Sequence, residues 1–150
     1  MGYGDPVAEA TTDVLAERLG YLLKHAQQRL VQAAGPAMAR FGIDGRELAA
    51  LAVLSAGVPL SQQEAADRLR VDRTTMVSLV DALEVKGLVE RRRSAHDRRK
   101  NIVELTGAGL QCLRGAARAR DEVDREFLAP LGDKLAREFV RALQILAREA

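Results

Sequence analysis

The sequence is poor in the residues on which several classes of protein function depend. Cys112 is the only cysteine among 150 residues, which excludes an internal disulfide bond and a cysteine-based zinc cluster. Five aromatic residues, none of them tryptophan, leave little material for stacking single-stranded bases. His25 and His96 are too few and too scattered for a metal site, so no metal is predicted.

The chain also lacks long apolar segments and targeting signals. Its longest apolar run, residues 48–60, is interrupted by Ser55, Gly57 and Pro59, and it falls short of the roughly 20 residues that a bilayer-spanning helix needs. Residues 1–13 contain neither the basic start nor the apolar core of a signal peptide. We therefore expect a cytoplasmic protein that makes no membrane contact.

Motifs of enzymatic chemistry are absent as well. The sequence contains no glycine-rich phosphate loop, no nucleophile elbow and no paired histidine–carboxylate motif. Its aspartates and glutamates fall mostly on predicted exposed helix faces, where they act as solvated charges. We expect a protein that is not an enzyme, with no catalytic residue and no cofactor.

Charge is distributed unevenly along this otherwise ordinary composition. With 47% hydrophobic and 29% charged residues, the chain fits one soluble domain that buries roughly 68–70% of its unfolded surface. The formal net charge is +2, but residues 86–100 hold seven basic and two acidic residues, a net +5, which leaves −3 for the other 135. Such a basic segment on an acidic chain indicates contact with a polyanion at one place.

The first third of the chain predicts a long helix. After a loose leader at residues 1–11, leucines and an alanine recur at spacings of three and four over residues 12–34. Gly35 and Pro36 follow, and this pair is expected to break that helix or to bend it sharply.

Three helix starts then follow closely. Asp44 with Glu47, and Ser61 with Glu64, form capping boxes that predict helices over residues 44–55 and 61–69. A third helix is predicted from the N-cap Asp72 to Lys86, stopped by Gly87. Its apolar residues recur at i, i+3, i+4 and i+7, a buried stripe formed by Met76, Leu79, Val80 and Leu83.

In the next segment the apolar residues no longer recur at helical spacing. Residues 88–92 and 102–105 are short and rich in β-branched residues, which predicts two antiparallel strands joined by a long basic loop. Thr106 is expected to cap a helix that runs to about Phe127, and a last helix is predicted over residues 132–150.

This order of elements is that of a winged helix-turn-helix fold, whose second helix enters the major groove of DNA. With the apolar stripe inward, Thr74, Ser78 and Asp81 point outward, and Thr75 and Val77 lie on the flanks. The first turn of the helix places Arg73 within reach of a phosphate or a guanine edge. The outward positions and the first turn supply the candidate contacts Arg73, Thr74, Thr75 and Ser78.

The basic loop supplies a second set of candidates. Arg98, Arg99 and Lys100 could follow the phosphates, or one arginine could enter a narrow minor groove where the negative potential is enhanced. Asp97 would repel phosphate, so its place in this loop needs another explanation. Its carboxylate could pair with a neighbouring arginine and fix the direction of that side chain.

Other interpretations of the same residues stay open at this point. A winged helix can serve as a protein-interaction module, or as an architectural DNA binder of weak sequence specificity. Cys112 could sense oxidants, although a small buried hydrophobe fits its position between Leu110 and Leu113 better. His25 could line a ligand pocket, or it could lie in an interface with its hydrogen-bonding groups paired.

Residues 60–109 resemble the core of the MarR family of bacterial transcriptional regulators. The resemblance lies in segments 60–69, 71–84 and 86–91, in the wing signature Asp97-Arg98-Arg99, and in the exit into a helix at 103–109. The wing pattern Asp-x-Arg followed by this exit is the most specific part. The flanking helices fit the family only by their length and order.

The resemblance implies a mainly α-helical protein with about six helices and a two- to three-stranded wing. It implies a homodimer formed by helices at residues 12–34 and 107–150, with a DNA-binding lobe at 44–106. Each subunit would place one helix in half of a palindromic operator on double-stranded DNA. Arg99 would enter the minor groove, Asp97 would orient it, and Arg98 would contact phosphate.

Many family members are repressors that a small aromatic or anionic effector releases from DNA, and the resemblance implies such a repressor here. The effector usually binds between the dimer helices and the DNA-binding lobe. No residue of this sequence is assigned to an effector.

Overall fold

The computed structural model describes residues 17–148, so the predicted leader, residues 12–16 of the first helix and residues 149–150 lie outside the described range. Within it, the elements are α1 (Leu19–Ala39), α2 (Gly45–Leu54), α3 (Gln62–Leu69), α4 (Arg73–Val85), β1 (Val89–Arg93), β2 (Asn101–Leu105), α5 (Gly107–Leu128) and α6 (Gly132–Ala147). A short 3-10 turn, Ala129–Leu131, separates α5 from α6. Six helices and one hairpin confirm the predicted winged helix-turn-helix architecture.

Both predicted capping boxes are present. At α2, the Glu47 amide donates to Asp44 Oδ1 at 2.8 Å, and the Asp44 amide donates to Glu47 Oε2 at 2.9 Å. At α3, the Glu64 amide donates to Ser61 Oγ at 3.2 Å, and the Ser61 amide donates to Glu64 Oε2 at 2.7 Å. Each box satisfies two amides that the first turn of a helix would otherwise leave without partners.

The predicted break at Gly35-Pro36 is wrong as a helix end, because α1 continues to Ala39 with Pro36 inside it. Proline removes one helical hydrogen bond, which normally favours termination. Here Ala34 and Met38, on either side of the proline, are both buried in the subunit. The packing of these two side chains holds the segment helical for one more turn, until the chain leaves through Gly42 at a φ of 68°.

A three-residue turn joins α3 to α4 and fixes the angle between them. Arg70 ends α3 in the left-handed region at a φ of 56°, a conformation that costs most residues energy and that glycine adopts freely. The Val71 amide donates back to the Ala66 carbonyl at 3.1 Å and closes the turn. The close succession of helix starts predicted at Ser61 and Asp72 is therefore the helix-turn-helix itself.

The wing is a two-stranded antiparallel sheet in which Val89 pairs with Leu105 and Arg93 with Asn101. The expected third strand is reduced to a single bridge between Leu60 and Val103, in which the Val103 amide donates to the Leu60 carbonyl at 2.9 Å. Only one residue pairs because Ser61 immediately starts the capping box of α3. The bridge ties the wing to the start of the helix-turn-helix.

One hydrophobic core joins these elements. Its largest fully buried side chains come from α1, α2, α4 and both strands, namely Met38, Leu51, Met76, Val80, Leu83, Val89 and Val103. The wing and α4 thus share one core and are held rigidly with respect to each other.

The passage from β2 to α5 is tightly packed. Thr106 caps α5: its hydroxyl accepts from the Gly109 amide at 3.0 Å and donates to the Gly87 carbonyl at 2.6 Å. Gly109 lies so close to the residue that precedes β1 that a Cβ added there would stand 1.9 Å from the Leu88 carbonyl oxygen. Only glycine fits at this contact, because the obstacle is backbone and not a movable side chain.

We predict that Gly109→Ala lowers the free energy of unfolding by about 1–3 kcal/mol, since the methyl group forces the backbone of α5 away from β1. Gly107→Ala, two residues earlier in the same helix, has no atom within 4 Å of its new Cβ. That control is expected to be neutral or to stabilise by up to about 1 kcal/mol. Urea denaturation at one fixed protein concentration measures both, and equal effects would contradict the packing argument.

The last helix, α6, contributes no buried residue to this core. Its large apolar side chains are all exposed, among them Leu135 at 51% and Leu146 at 74%. No helix in residues 17–148 combines the length and the apolar character needed to cross a membrane.

Candidate nucleic-acid interface

The N-terminal end of α4 is capped by Asp72. One carboxylate oxygen accepts from the Thr75 amide at 2.7 Å, and the other accepts from the Thr75 hydroxyl at 2.9 Å. These bonds to the ionised form hold the pKa of Asp72 below its usual value. The Thr75 hydroxyl therefore uses its proton on the cap, while Arg73 and Thr74 remain exposed at the same helix end.

The outward face of α4 is the predicted one. All four residues of the apolar stripe are buried, which confirms that this face packs on the core. On the opposite side Thr74, Ser78 and Asp81 are exposed, and Thr75 and Val77 are half-buried between the two faces. The helix thus presents short polar side chains to solvent, as a helix that enters the major groove requires.

The wing loop has an internal framework of hydrogen bonds. The Ser94 amide donates to the Lys100 carbonyl at 2.8 Å, and the Lys100 amide donates to the Asp97 carbonyl at 3.0 Å. Asp97 Oδ1 accepts from the Arg99 amide at 3.0 Å. Asp97 thus contacts the arginine predicted to need orientation, but through the backbone amide of Arg99 and not through the guanidinium group.

Four of the seven basic residues in the segment 86–100 are paired with carboxylates of the same subunit. Lys86 pairs with Glu47 at 2.7 Å, and Lys100 pairs with Glu64 at 2.6 Å. Arg91 bridges two carboxylates of α4, Asp81 and Glu84, the latter at 2.7 Å. Arg92 Nε donates to Glu104 Oε2 at 2.6 Å, which raises the pKa of the guanidinium group.

The other three basic residues, Arg93, Arg98 and Arg99, are exposed and form no ion pair with any carboxylate of residues 17–148. Their charge is therefore not neutralised by any carboxylate of the part of the subunit that the structure describes. The local excess of +5 found in the sequence is carried chiefly by these three side chains at the wing.

The wing and α4 open onto one shared groove of about 380 Å³. Its lining comes from the start of α3, the start of α4 and both strands, namely Ser61, Gln62, Gln63, Arg73, Arg91, Asn101 and Val103. The exposed end of α4 and the wing consequently lie on the same side of the subunit. A single rod-shaped polyanion can touch both.

The predicted contact residues are thus divided by the structure. Arg73, Thr74, Ser78, Arg98 and Arg99 are exposed, whereas the ammonium group of Lys100 is turned toward Glu64 on α3. Sequence reasoning missed Arg93, which ends β1 as an exposed cation without a carboxylate partner in residues 17–148. The strand alternation from Arg91 to Arg93 could have found it, since both residues lie on one face.

Neither Cys112 nor His25 forms part of this face. Cys112 is half-buried on α5 with its sulfur 3.8 Å from the Phe41 carbonyl oxygen, and burial raises the pKa of the thiol. A thiol kept protonated suits packing better than oxidant sensing, because the thiolate is the reactive form. On α1, the rings of His25 and Tyr21 contact each other with centroids 4.1 Å apart and planes tilted by 37°.

A capped helix with a polar outer face, followed by a hairpin that carries exposed arginines, defines a winged helix-turn-helix protein. Comparison with known proteins gives the family. Residues 41–100 match the sequence profile of the MarR family. A Thauera aromatica protein named as a transcriptional regulatory protein for the hcr operon is 31% identical over 144 residues, which cover 95% of this chain and 87% of that protein. The chain belongs to the MarR family of transcriptional regulators.

Two solved structures of proteins named CouR have the same fold, and the one with p-coumaroyl-CoA comes from Rhodococcus jostii RHA1. The structure of CouR on a 23-mer DNA duplex is 32% identical with a TM-score of 0.82, over 89% of this chain and 95% of that one. The structure with p-coumaroyl-CoA aligns at 24% identity with a TM-score of 0.78, over 91% and 96% of the two chains.

Proposed function

We propose that this protein is a homodimeric repressor that binds a palindromic operator on double-stranded DNA and leaves it when a small effector binds. One observation carries the proposal: Arg73 at the exposed start of α4 and the two strands of the wing line one groove, and the wing carries three exposed arginines without a carboxylate partner in residues 17–148. DNA offers both a groove for the helix and phosphates for the arginines. The CouR structure on DNA supports the same activity for a chain 32% identical.

In this proposal each side chain has a distinct role. Thr74 and Ser78 face the base edges in the major groove, Arg73 contacts phosphate or a guanine, and Thr75 shapes the helix end. At the wing, Arg99 enters the minor groove while Arg98 contacts phosphate, and Asp97 holds the Arg99 backbone in place. We add Arg93 to the phosphate contacts, because it is exposed and has no carboxylate partner in residues 17–148.

Dimerisation is assigned to α1, α5 and α6, and DNA binding to the lobe from residue 44 to 106. Both α1 and α6 expose apolar side chains that a water-soluble monomer would bury, including Leu19, Leu22, Val31, Leu135, Ile145 and Leu146. An apolar recess of about 360 Å³ lies between α1, α5 and α6. A second copy that covers these faces would place two copies of α4 on successive major grooves.

Release by a small molecule is the regulatory part of the proposal, and the protein is expected to act in the cytoplasm and not as an enzyme. One repressor named CouR has been solved on a DNA duplex, and the CouR of Rhodococcus jostii RHA1 has been solved with p-coumaroyl-CoA. Aromatic carboxylic acids and their coenzyme A thioesters are therefore the first effectors to test. A thermal-shift screen finds those that bind, and reversal of DNA binding identifies the effectors among them.

The deciding experiment measures binding of the purified protein to labelled genomic fragments, including its own promoter, and to random duplex of equal length. A repressor is expected to prefer one discrete site by about 10³-fold or more, as specific DNA-binding proteins do. Equal affinity for all duplexes would indicate an architectural binder. No salt-dependent binding to any duplex would leave a protein-interaction module.

Ser78→Ala tests direct recognition of bases by α4. Because Ser78 is exposed in the middle of the outward face, its loss is expected to change which base pair is preferred at one or two operator positions. Discrimination there is expected to fall by up to about 1–3 kcal/mol, the usual value of one base pair. Selection from a randomised operator library measures it, and a uniform loss on all sequences would argue against base contact.

A further inference from the structure

Each capping-box glutamate has a second partner outside its own helix. Glu64 accepts from the Ser61 amide through Oε2 at 2.7 Å and from Lys100 Nζ through Oε1 at 2.6 Å. Glu47 likewise accepts from the Asp44 amide at 2.9 Å while its carboxylate holds Lys86 Nζ at 2.7 Å. Glu47 thus binds Lys86 at the C-terminal end of α4, and Glu64 binds Lys100 in the wing.

Lys100 occupies the position from which the wing loop is controlled. Its carbonyl accepts from the Ser94 amide, and its own amide donates to the Asp97 carbonyl, so Lys100 closes the loop that carries Arg98 and Arg99. Its side chain reaches 36 residues back along the chain to α3. The ion pair is therefore a direct link between the start of the helix-turn-helix and the loop that carries the two arginines.

The charge state of this link suits a permanent anchor. The hydrogen bond from Lys100 and that from the Ser61 amide lower the pKa of Glu64 to about 2. A depressed carboxyl pKa means that the link is complete above the ordinary value of 4.5 and is lost only as the pH falls toward about 2. At pH values above its ordinary pKa range, the Glu64 carboxyl is therefore ionised opposite the ammonium group of Lys100.

We propose that Glu64 and Lys100 are positioning residues that set the distance of the wing tip from α4, and with it the spacing between the major-groove and minor-groove contacts. The proposal rests on the proposed DNA binding, but it reverses the role that the sequence suggests for Lys100. The sequence predicts that Lys100 attracts DNA itself. The structure gives it a carboxylate partner and a place at the base of the loop.

Glu64→Gln separates the two roles because they predict opposite results. Glutamine keeps the capping box, since its amide oxygen can accept from the Ser61 amide. If Lys100 were a direct contact, the substitution would release a cation toward DNA and affinity would rise. If the pair positions the wing, affinity falls, and we expect a decrease of about 5- to 10-fold, within the range for removal of one specific interaction.

Two further variants complete the design. Lys100→Met is expected to lose affinity to the same extent as Glu64→Gln, and the double variant is expected to be no worse than either single one, because both break one link. Glu104→Gln is the matched control. It also removes one negative charge, and it leaves Arg92 with Glu90 at 3.9 Å as its carboxylate partner, but the link to α3 stays intact, so no loss is expected.

Hydrogen exchange of the Ser94 amide gives a readout that needs no DNA. Exchange there is expected to accelerate in Glu64→Gln and Lys100→Met and to stay unchanged in Glu104→Gln, because only the first two release the loop. Higher affinity of Glu64→Gln, or unchanged exchange in both variants, would overturn the positioning role. Absence of DNA binding by the unmodified protein would instead refute the proposed function.

Discussion

Leu22→Asp combined with Leu146→Asp is expected to convert the protein into a monomer and to lower its affinity for the operator by about 10²- to 10⁴-fold. The two leucines lie on α1 and α6 with 48% and 74% of their surface exposed. Burying an aspartate in an apolar interface carries a large desolvation cost, which prevents association. Once the subunits separate, the second half-site no longer binds at the high effective concentration that a dimer provides.

Analytical ultracentrifugation combined with fluorescence anisotropy on the operator measures both effects in one preparation. Val58→Asp is the matched control, because Val58 is also exposed, at 57%, but lies in the loop between α2 and α3. That variant is expected to remain dimeric. A double variant that stays dimeric, or a monomer that binds with full affinity, would refute the assignment of α1 and α6 to the dimer.

Arg99→Ala is expected to weaken specific binding by about 1–3 kcal/mol, the usual effect of removing a base-directed arginine. Replacing Arg93, Arg98 and Arg99 together is expected to reduce the slope of log affinity against log salt by about 0.9 for each phosphate that the variant no longer neutralises. The physical reason is that these guanidinium groups have no carboxylate partner within residues 17–148, so phosphates are their available counter-charges.

Arg92→Ala provides the comparison for this prediction. Arg92 is also exposed in the wing, but its counter-charge is Glu104, so its removal is expected to leave the salt slope nearly unchanged. Titrations at several salt concentrations measure the slopes. If Arg92→Ala and Arg98→Ala changed the slope equally, pairing within the subunit would not decide which arginines contact phosphate.

The local elements could be predicted from the sequence because their signals are short-range. Each capping residue and its partner lie three positions apart, and the stripe of α4 repeats within one helix. Pro36 misled the prediction because the packing of Met38, a tertiary effect, overrides the local preference of proline.

The division of the basic residues could not be predicted from the sequence. Lys100 is separated from Glu64 by 36 positions, and Lys86 from Glu47 by 39. No short-range sequence pattern therefore predicts either ion pair. The sequence shows only that residues 86–100 carry a net charge of +5. Which side chains remain unpaired depends on the angle at which α3 and α4 meet the wing.

The single residue between β2 and α5 has a mechanical consequence. The Thr106 hydroxyl donates to the Gly87 carbonyl and accepts from the Gly109 amide, and Gly109 packs directly against the Leu88 backbone. The 22-residue helix α5 is therefore joined to the wing without a flexible hinge. At a rise of about 1.5 Å per residue, α5 is a lever of about 33 Å, and a tilt of about 5° about its far end moves the wing by about 3 Å. A small rearrangement far from the DNA would thus be enough to carry the arginines out of hydrogen-bonding range.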